Sequence, residues 1–220
     1  MASYIYMKVL ESRPRFYDRG IYLLSFGRSE QIKKKIVEQC VEPGFNVLEI
    51  GCGTGTMSML AAKKGAKVLG FDVSNPMLQV ARRKIGQAGQ SGEIELWEMG
   101  VSGMDKLEDQ SFDLVMSTLV FSELSRDEQR YALKHAMRIL KPGGRLAIAD
   151  EARPESALKR LLHIAVRLPL LIITLAITQT STIAVEGLRG LVADAGFSIE
   201  KEERSAMDSF IYMVARKEDE

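Results

Sequence analysis

The sequence predicts an α/β domain built on an open, mostly parallel sheet with helices on both faces, and three observations carry that prediction. The run Val47-Leu48-Glu49-Ile50 is an apolar strand broken by one acid, and it passes directly into Gly51-Cys52-Gly53-Thr54-Gly55-Thr56 and then a helix. A strand buried on both faces reads this way, and glycines at alternate positions let a ligand touch backbone that side chains would otherwise cover. Apolar strands then alternate with helices as far as Asp150, the pattern of a sheet whose ligand crevice lies at the carboxyl ends of its strands. Finally, 220 residues and 24.5 kDa suit one such domain, 1–220, with additions rather than two domains.

The opening segment, 1–43, reads as a helical lid. Met1 to Leu10 is short and apolar, the stretch from Arg13 to Gly20 breaks it, and Ser29 is expected to cap a helix that runs through Cys40 and ends before Pro43-Gly44. The core, 44–151, follows. After the glycine turn a helix from Met57 to Lys64 stops at Gly65, and Lys67 to Asp72 is a second strand finishing on an acid, 21 residues beyond Gly51. A carboxylate at the tip of that neighbouring strand either accepts the two hydroxyls of a ribose or caps the next helix, which starts at Ser74-Asn75-Pro76. Ile94 to Glu98 is the third strand, leading into Met99-Gly100-Val101, with Trp97 in the core or pocket floor.

Ser111 to Ser117 is the fourth strand, and Ser125-Arg126-Asp127-Glu128 is a capping box that opens a helix reaching Leu140. Lys141-Pro142-Gly143-Gly144-Arg145 reads as a hairpin-like turn into the fifth strand, Leu146 to Asp150. Between strands five and six, 152–185 reads as an apolar helical cap, very apolar from Leu161 to Ile177 but interrupted by Arg167 and Pro169. A spanning helix needs about 20 apolar residues, so this stretch is too short and broken to cross a bilayer. It serves as a buried cap, as a greasy groove for substrate or partner, or as a membrane-surface helix over 159–178 with Lys159, Arg160 and Arg167 on its rim. The last segment, 186–220, closes with a helix from Val185 to Ala195, a stop at Gly196-Phe197, and strands from Ser198 to Arg204 and Phe210 to Lys217.

Charge narrows the partners. Lys plus Arg at 30 against Asp plus Glu at 29 leaves no basic excess to neutralise a phosphate backbone, so general nucleic-acid binding is disfavoured. Two cysteines, Cys40 and Cys52, and no secretory leader pattern point to a reducing cytoplasm. His135 and His163 make no zinc-like spacing with them, and no metal site is expected.

The glycine spacing selects the ligand. A dinucleotide turn needs G-x-G-x-x-G, and its third glycine is replaced here by Thr56. The pattern present, Glu49-x-Gly51-x-Gly53-x-Gly55, sets an acid two residues before the first glycine, where it attracts an ammonium and repels phosphate. This run resembles motif I of the class I S-adenosylmethionine (SAM) methyltransferases, and the L-K-P-G-G-R run at Leu140–Arg145 resembles the same class. The resemblance implies a Rossmann-like seven-stranded sheet of order 3-2-1-4-5-7-6 with strand seven alone antiparallel, SAM as cofactor and S-adenosylhomocysteine as product. It places Glu49, Gly51, Cys52, Gly53, Thr54 and Gly55 around the cofactor, with Asp72 on the ribose. Most relatives carry a Gly-Asp-Ala type of loop after strand three to read adenine. This chain has Gly100 with Asp105 only later, so adenine is expected against the Val101 amide and walls formed by Val73, Met77, Met99 and Gly100.

Tyr17-Asp18 followed by Leu24-Ser25-Phe26-Gly27-Arg28 resembles the amino-terminal segment that closes over SAM in quinone-biosynthesis C-methyltransferases, which brings Tyr17 to the cofactor; otherwise it is a surface helix with its aromatics inward. Tyr4-Ile5-Tyr6-Met7-Lys8, Ser117 to Leu124 and Ser205 to Phe210 resemble the corrinoid protein-associated methyltransferases, which implies a corrinoid protein as partner. The expected activity is thus methyl transfer to an apolar small molecule or a corrinoid-linked acceptor, with isoprenoid quinone C-methylation and a non-catalytic SAM-binding partner protein as alternatives. A sulfonium methyl is already electrophilic, so the enzyme mainly aligns donor and acceptor at roughly 3 to 3.5 Å. The stretch Ser117 to Glu123 should face the methyl group. Glu123 and His163 are the candidate bases, the first equally readable as a carboxylate that helps start the next helix and the second as a cap histidine.

Overall fold

Seven strands form one sheet in the order β3-β2-β1-β4-β5-β7-β6, the order expected from the resemblance. The computed structural model describes residues 27–90, 92–152, 185–205 and 210–218. Along the chain the elements are α1 (Arg28–Cys40), β1 (Asn46–Ile50), α2 (Thr56–Lys63), β2 (Lys67–Asp72), α3 (Asn75–Gln87), β3 (Ile94–Glu98) and a 3₁₀ turn (Val101–Lys106). They continue with β4 (Phe112–Thr118), α4 (Arg126–Ile139), β5 (Leu140–Glu151), α5 (Leu188–Asp194), β6 (Ser198–Arg204) and β7 (Phe210–Arg216). β1 to β5 pair in parallel where they are neighbours, while β7 runs antiparallel to both β5 and β6.

Side-chain alternation along the strands sorts the core into two layers. Val47, Leu114, Met116, Ala147, Ala149, Tyr212 and Val214 pack toward α1, α2 and α3, against Ile36, Met57, Ala61 and Ala81. Leu48, Ile50, Val115, Leu146, Ile148, Ile211 and Met213 pack toward α4 and α5, against Leu133, Ala136, Leu188 and Val192. Each such fully buried aliphatic side chain contributes about 1.5–3 kcal/mol, so the sheet is held from both faces. β1 is hydrogen-bonded to β2 on one side and β4 on the other, with its helix and the α4 layer on opposite faces. The crevice therefore opens between the turn after β1 and the loop after β4.

The capping box forms as read: the Glu128 N–H donates to Ser125 Oγ at 3.3 Å, and the Ser125 N–H donates to Glu128 Oε2 at 2.8 Å. Three local expectations are corrected. The first helix is capped by Gly27, not Ser29, which lies buried inside α1. Residues 141–145 are no separate turn, because β5 pairs with β4 both before and after Lys141 to Gly144. Phe112 pairs with Leu140 and Leu114 with Arg145, so Lys141 to Gly144 bulge out of a continuous β5. Gly143 N–H donates to the Lys217 carbonyl at 3.0 Å, and Lys217 N–H donates back to Gly144 at 2.9 Å. α5 begins only at Leu188, since Val185 is spent on a parallel bridge to Ala152. The 3₁₀ turn after β3 was not anticipated. Tyr17, His163 and the cap at 153–184 lie outside the described residues.

Candidate cofactor site and acceptor face

The turn after β1 is built from backbone. Gly51, Gly53 and Gly55 all have left-handed φ, at 67°, 52° and 73°. For a residue with a side chain that conformation costs roughly 1–2 kcal/mol each time. Gly51 has a second reason: a β-carbon there would lie 2.3 Å from Val120 Cγ2. Between the glycines, the Cys52 N–H donates to the Phe71 carbonyl at 2.9 Å and the Gly55 N–H donates to Cys52 at 2.9 Å, which fixes the turn to the tip of β2.

Two residues expected at the cofactor turn their side chains elsewhere. The Cys52 thiol is buried against Gly70, where a β-carbon would come within 3.1 Å of it, and burial raises its pKa. Thr54 is buried as well, with its hydroxyl 3.4 Å from that of Thr56 and from the Lys84 ammonium of α3. Their contribution is the shape of the turn. Glu49 is 2% exposed and accepts a hydrogen bond from the Ser58 hydroxyl of α2. Burial pushes its carboxyl up to about 7, against the lowering influence of Ser58 and the Lys33 charge. It thus stands behind the turn, facing Ser58 rather than open crevice.

Asp72 joins three strand ends. Its Oδ2 accepts from the Gly53 N–H and its Oδ1 from the Ser74 N–H, both at 2.8 Å, while its carbonyl accepts from Met99 N–H at 3.1 Å. Each carboxylate oxygen keeps a second acceptor direction. Around it lie Val73, 73% exposed; Met77, whose Cε is 3.5 Å from a β-carbon built at Gly53; and Gly100, whose own β-carbon would meet Val73 at 3.4 Å. Gly100 has extended backbone (φ −93°, ψ −179°), so neither conformation nor space demands a glycine there. Met99 is half-buried beside it, and Val101, buried, opens the 3₁₀ turn. Gly53, Asp72, Val73, Met77, Met99, Gly100 and Val101 therefore gather at the ends of β1, β2 and β3.

Across the crevice, Ser117 is fully buried and donates to the Ile50 carbonyl at 3.3 Å, fastening β4 to β1. Leu119 takes a left-handed backbone, φ 61°, and Val120 lies over Gly51. Glu123 is exposed in the turn before α4, with its N–H donating to the Val120 carbonyl at 2.8 Å. Sequence reasoning missed Asp150. It is 0% exposed at the carboxyl end of β5, accepts from Glu151 N–H at 2.7 Å and Ser122 N–H at 3.3 Å, and is pushed up to about 6 by burial. The available signal was an acid closing an apolar strand, the feature that singled out Asp72. Gln129 of α4 was also missed, and nothing in its local sequence marks it.

Residues 47–144 match a family model described as a methyltransferase domain. The match covers less than half of the chain, and it spans β1 to the bulge in β5. The chain is 35% identical over 144 residues to the ubiquinone/menaquinone biosynthesis C-methyltransferase of Pseudoalteromonas translucida, covering 63% of this chain and 56% of that protein. It is 36% identical over 146 residues to the demethylmenaquinone methyltransferase of Clavibacter sepedonicus, covering 66% and 57%. The matches thus span less than two thirds of those relatives' own length. Among solved structures, a SAM-dependent methyltransferase of Methanosarcina mazei superposes with a TM-score of 0.63 over 84% of this chain and 98% of its own, at 22% identity, a likeness of fold.

Proposed function

We propose that this methyltransferase transfers the methyl group of SAM to a ring carbon of an apolar, quinol-type acceptor. The observation that carries the cofactor half is the junction of the left-handed glycine turn with Asp72, a cradle that β-carbons would fill. The acceptor half is supported by relatives named for quinone methylation and by the apolar Val120 over the turn. These relatives favour the quinone reading over a corrinoid-linked acceptor.

When bound, SAM supplies a sulfonium methyl that needs no further activation. The residues of this chain have the remaining tasks. Gly51, Gly53 and Gly55 admit the ligand to main-chain contact, and Asp72 accepts the ribose hydroxyls on its spare lone pairs. Val73, Met77 and Met99 wall the adenine beside the Val101 amide. Glu49, near neutrality in its pKa, carries a partial charge that favours the ligand ammonium from behind the turn. A methylated ring carbon must lose its proton to restore aromaticity, and Glu123, the carboxylate of the loop after β4, takes it. The apolar stretch 159–178 then meets the acceptor or the membrane surface that holds it; no helix among the described residues is long and apolar enough to cross a membrane.

Calorimetry with S-adenosylhomocysteine, followed by methyl-transfer assays with a demethylated naphthoquinol and a corrinoid protein side by side, tests this reading. Methylation of the quinol supports it. Binding with transfer only to the corrinoid protein replaces the acceptor, and binding with transfer to neither returns the chain to a SAM-binding partner protein without turnover.

A further inference from the structure

Three unfavourable features meet on the loop that joins β4 to α4. Leu119 holds a left-handed backbone that its side chain disfavours. Gln129, buried in α4, donates its amide to the carbonyls of Phe121 at 2.7 Å and Leu124 at 3.1 Å, and its own Oε1 has no partner among the described residues. Asp150 is buried, and among the described residues no cation is paired to it. A connection that only had to join a strand to a helix would carry none of these. Strain and unsatisfied polar groups persist where surrounding structure over-determines a conformation.

The surrounding ties come from two elements. From β5, the Ala149 carbonyl accepts the Leu119 N–H at 2.9 Å, and Asp150 Oδ2 accepts the Ser122 N–H at 3.3 Å. From α4, Gln129 holds Phe121 and Leu124. The outcome is a fixed Val120, its methyl group over Gly51.

We propose that Asp150 is a positioning residue, holding the 119–124 loop across the cofactor turn through the Ser122 N–H so that the crevice is walled before a ligand arrives. This rests on the reading of the β1 turn as the SAM seat. Ser122 supplies its hydroxyl and its N–H, and Glu151 its N–H, to the carboxyl, and Glu151 is the charged neighbour acting on it. Above its pKa of about 6 the carboxylate makes these bonds charge-assisted, which strengthens them. A wall ordered in advance spares the ligand the ordering of that loop.

The test compares the unaltered protein with Asp150→Asn, whose amide NH₂ cannot accept and so loses one of the two N–H bonds. Hydrogen exchange of the free protein and S-adenosylhomocysteine affinity are read at pH 7.5. The expected result is exchange at least tenfold faster for the Leu119 and Ser122 amides, unchanged exchange for Leu114 to Ser117, and affinity about tenfold weaker. Adding Leu119→Gly, which adopts the left-handed backbone freely, returns affinity to within about threefold of the start. A merely structural role for Asp150 would not respond to Leu119. Ser122→Pro removes the same hydrogen bond from the loop side, leaves Asp150 in place, and reproduces both effects. Unchanged loop exchange in both Asp150→Asn and Ser122→Pro, or faster exchange with affinity held within twofold, overturns the proposal. If the unaltered protein binds no S-adenosylhomocysteine, the cofactor reading fails instead, and the exchange measurements still decide the latch.

Discussion

The turn after β1 and the loop after β4 face each other across one crevice and reach unusual backbone conformations by opposite means. The first uses glycine at each left-handed position, so its shape is intrinsic to the chain and cheap to hold. The second forces leucine into the same region and holds it with Ala149, Asp150 and Gln129, residues 10 to 31 positions away. A shape set by local residue choice tolerates changes elsewhere; one set by distant ties does not.

Mutations on each side sharpen that contrast. Gly51→Ala should have the largest effect, since it combines left-handed strain with a 2.3 Å approach to Val120. A loss of roughly 2–5 kcal/mol is expected in urea denaturation, with S-adenosylhomocysteine binding abolished. The buried acids come next. Because the folded pKa of Glu49 is raised from 4.5 to about 7, the native state holds its proton more tightly, and this contribution is complete below 4.5 and lost as pH rises through 7. Glu49→Gln should therefore gain about 3 kcal/mol relative to the unaltered protein between pH 4.5 and pH 8. Asp150→Asn should show a similar trend shifted to the window from 3.8 to about 6, so stability curves against pH separate the two sides of the crevice. A pH-independent difference in either variant would remove the assigned titration.

Asp72→Ala should weaken S-adenosylhomocysteine binding by about 1–3 kcal/mol in calorimetry, through loss of the ribose contact and of the bond to Gly53. Unchanged affinity in a folded variant would leave Asp72 as the tie between strand tips only. The smallest effect belongs to Leu119→Gly, which should raise the urea midpoint by the equivalent of about 0.5–1 kcal/mol, the relieved strain exceeding the entropy cost of a glycine. Destabilisation there would mean that Leu119 packs more than it strains.

The same contrast explains what was legible in the sequence. β2, β3 and β6 begin and end where their residue patterns place them, because alternation and terminal acids or glycines are local properties. The glycine turn and Asp72 could be found together for that reason. The resemblance placed Cys52 and Thr54 at the cofactor and Ser117 in the loop facing it, but where their side chains point, into Gly70, α3 and β1, is set by strand register and turn geometry. Asp150 meets Ser122 across 28 residues, and Gln129 looks like any polar residue of an amphipathic helix. The bulge at 141–144 was hidden because it depends on Lys217 arriving beside it.

The antiparallel β7 lies between β5 and β6, although it is the last strand of this sequence to be synthesised. Until Phe210–Arg216 leaves the ribosome, the apolar stretch from Leu146 to Asp150 has an unpaired side, and β6 has no neighbour at all. Nascent chains, and any chain truncated before residue 210, therefore present a sticky strand edge to one another. The open side of β5 is thus closed only by Phe210–Arg216, some sixty residues after β5 itself has been made.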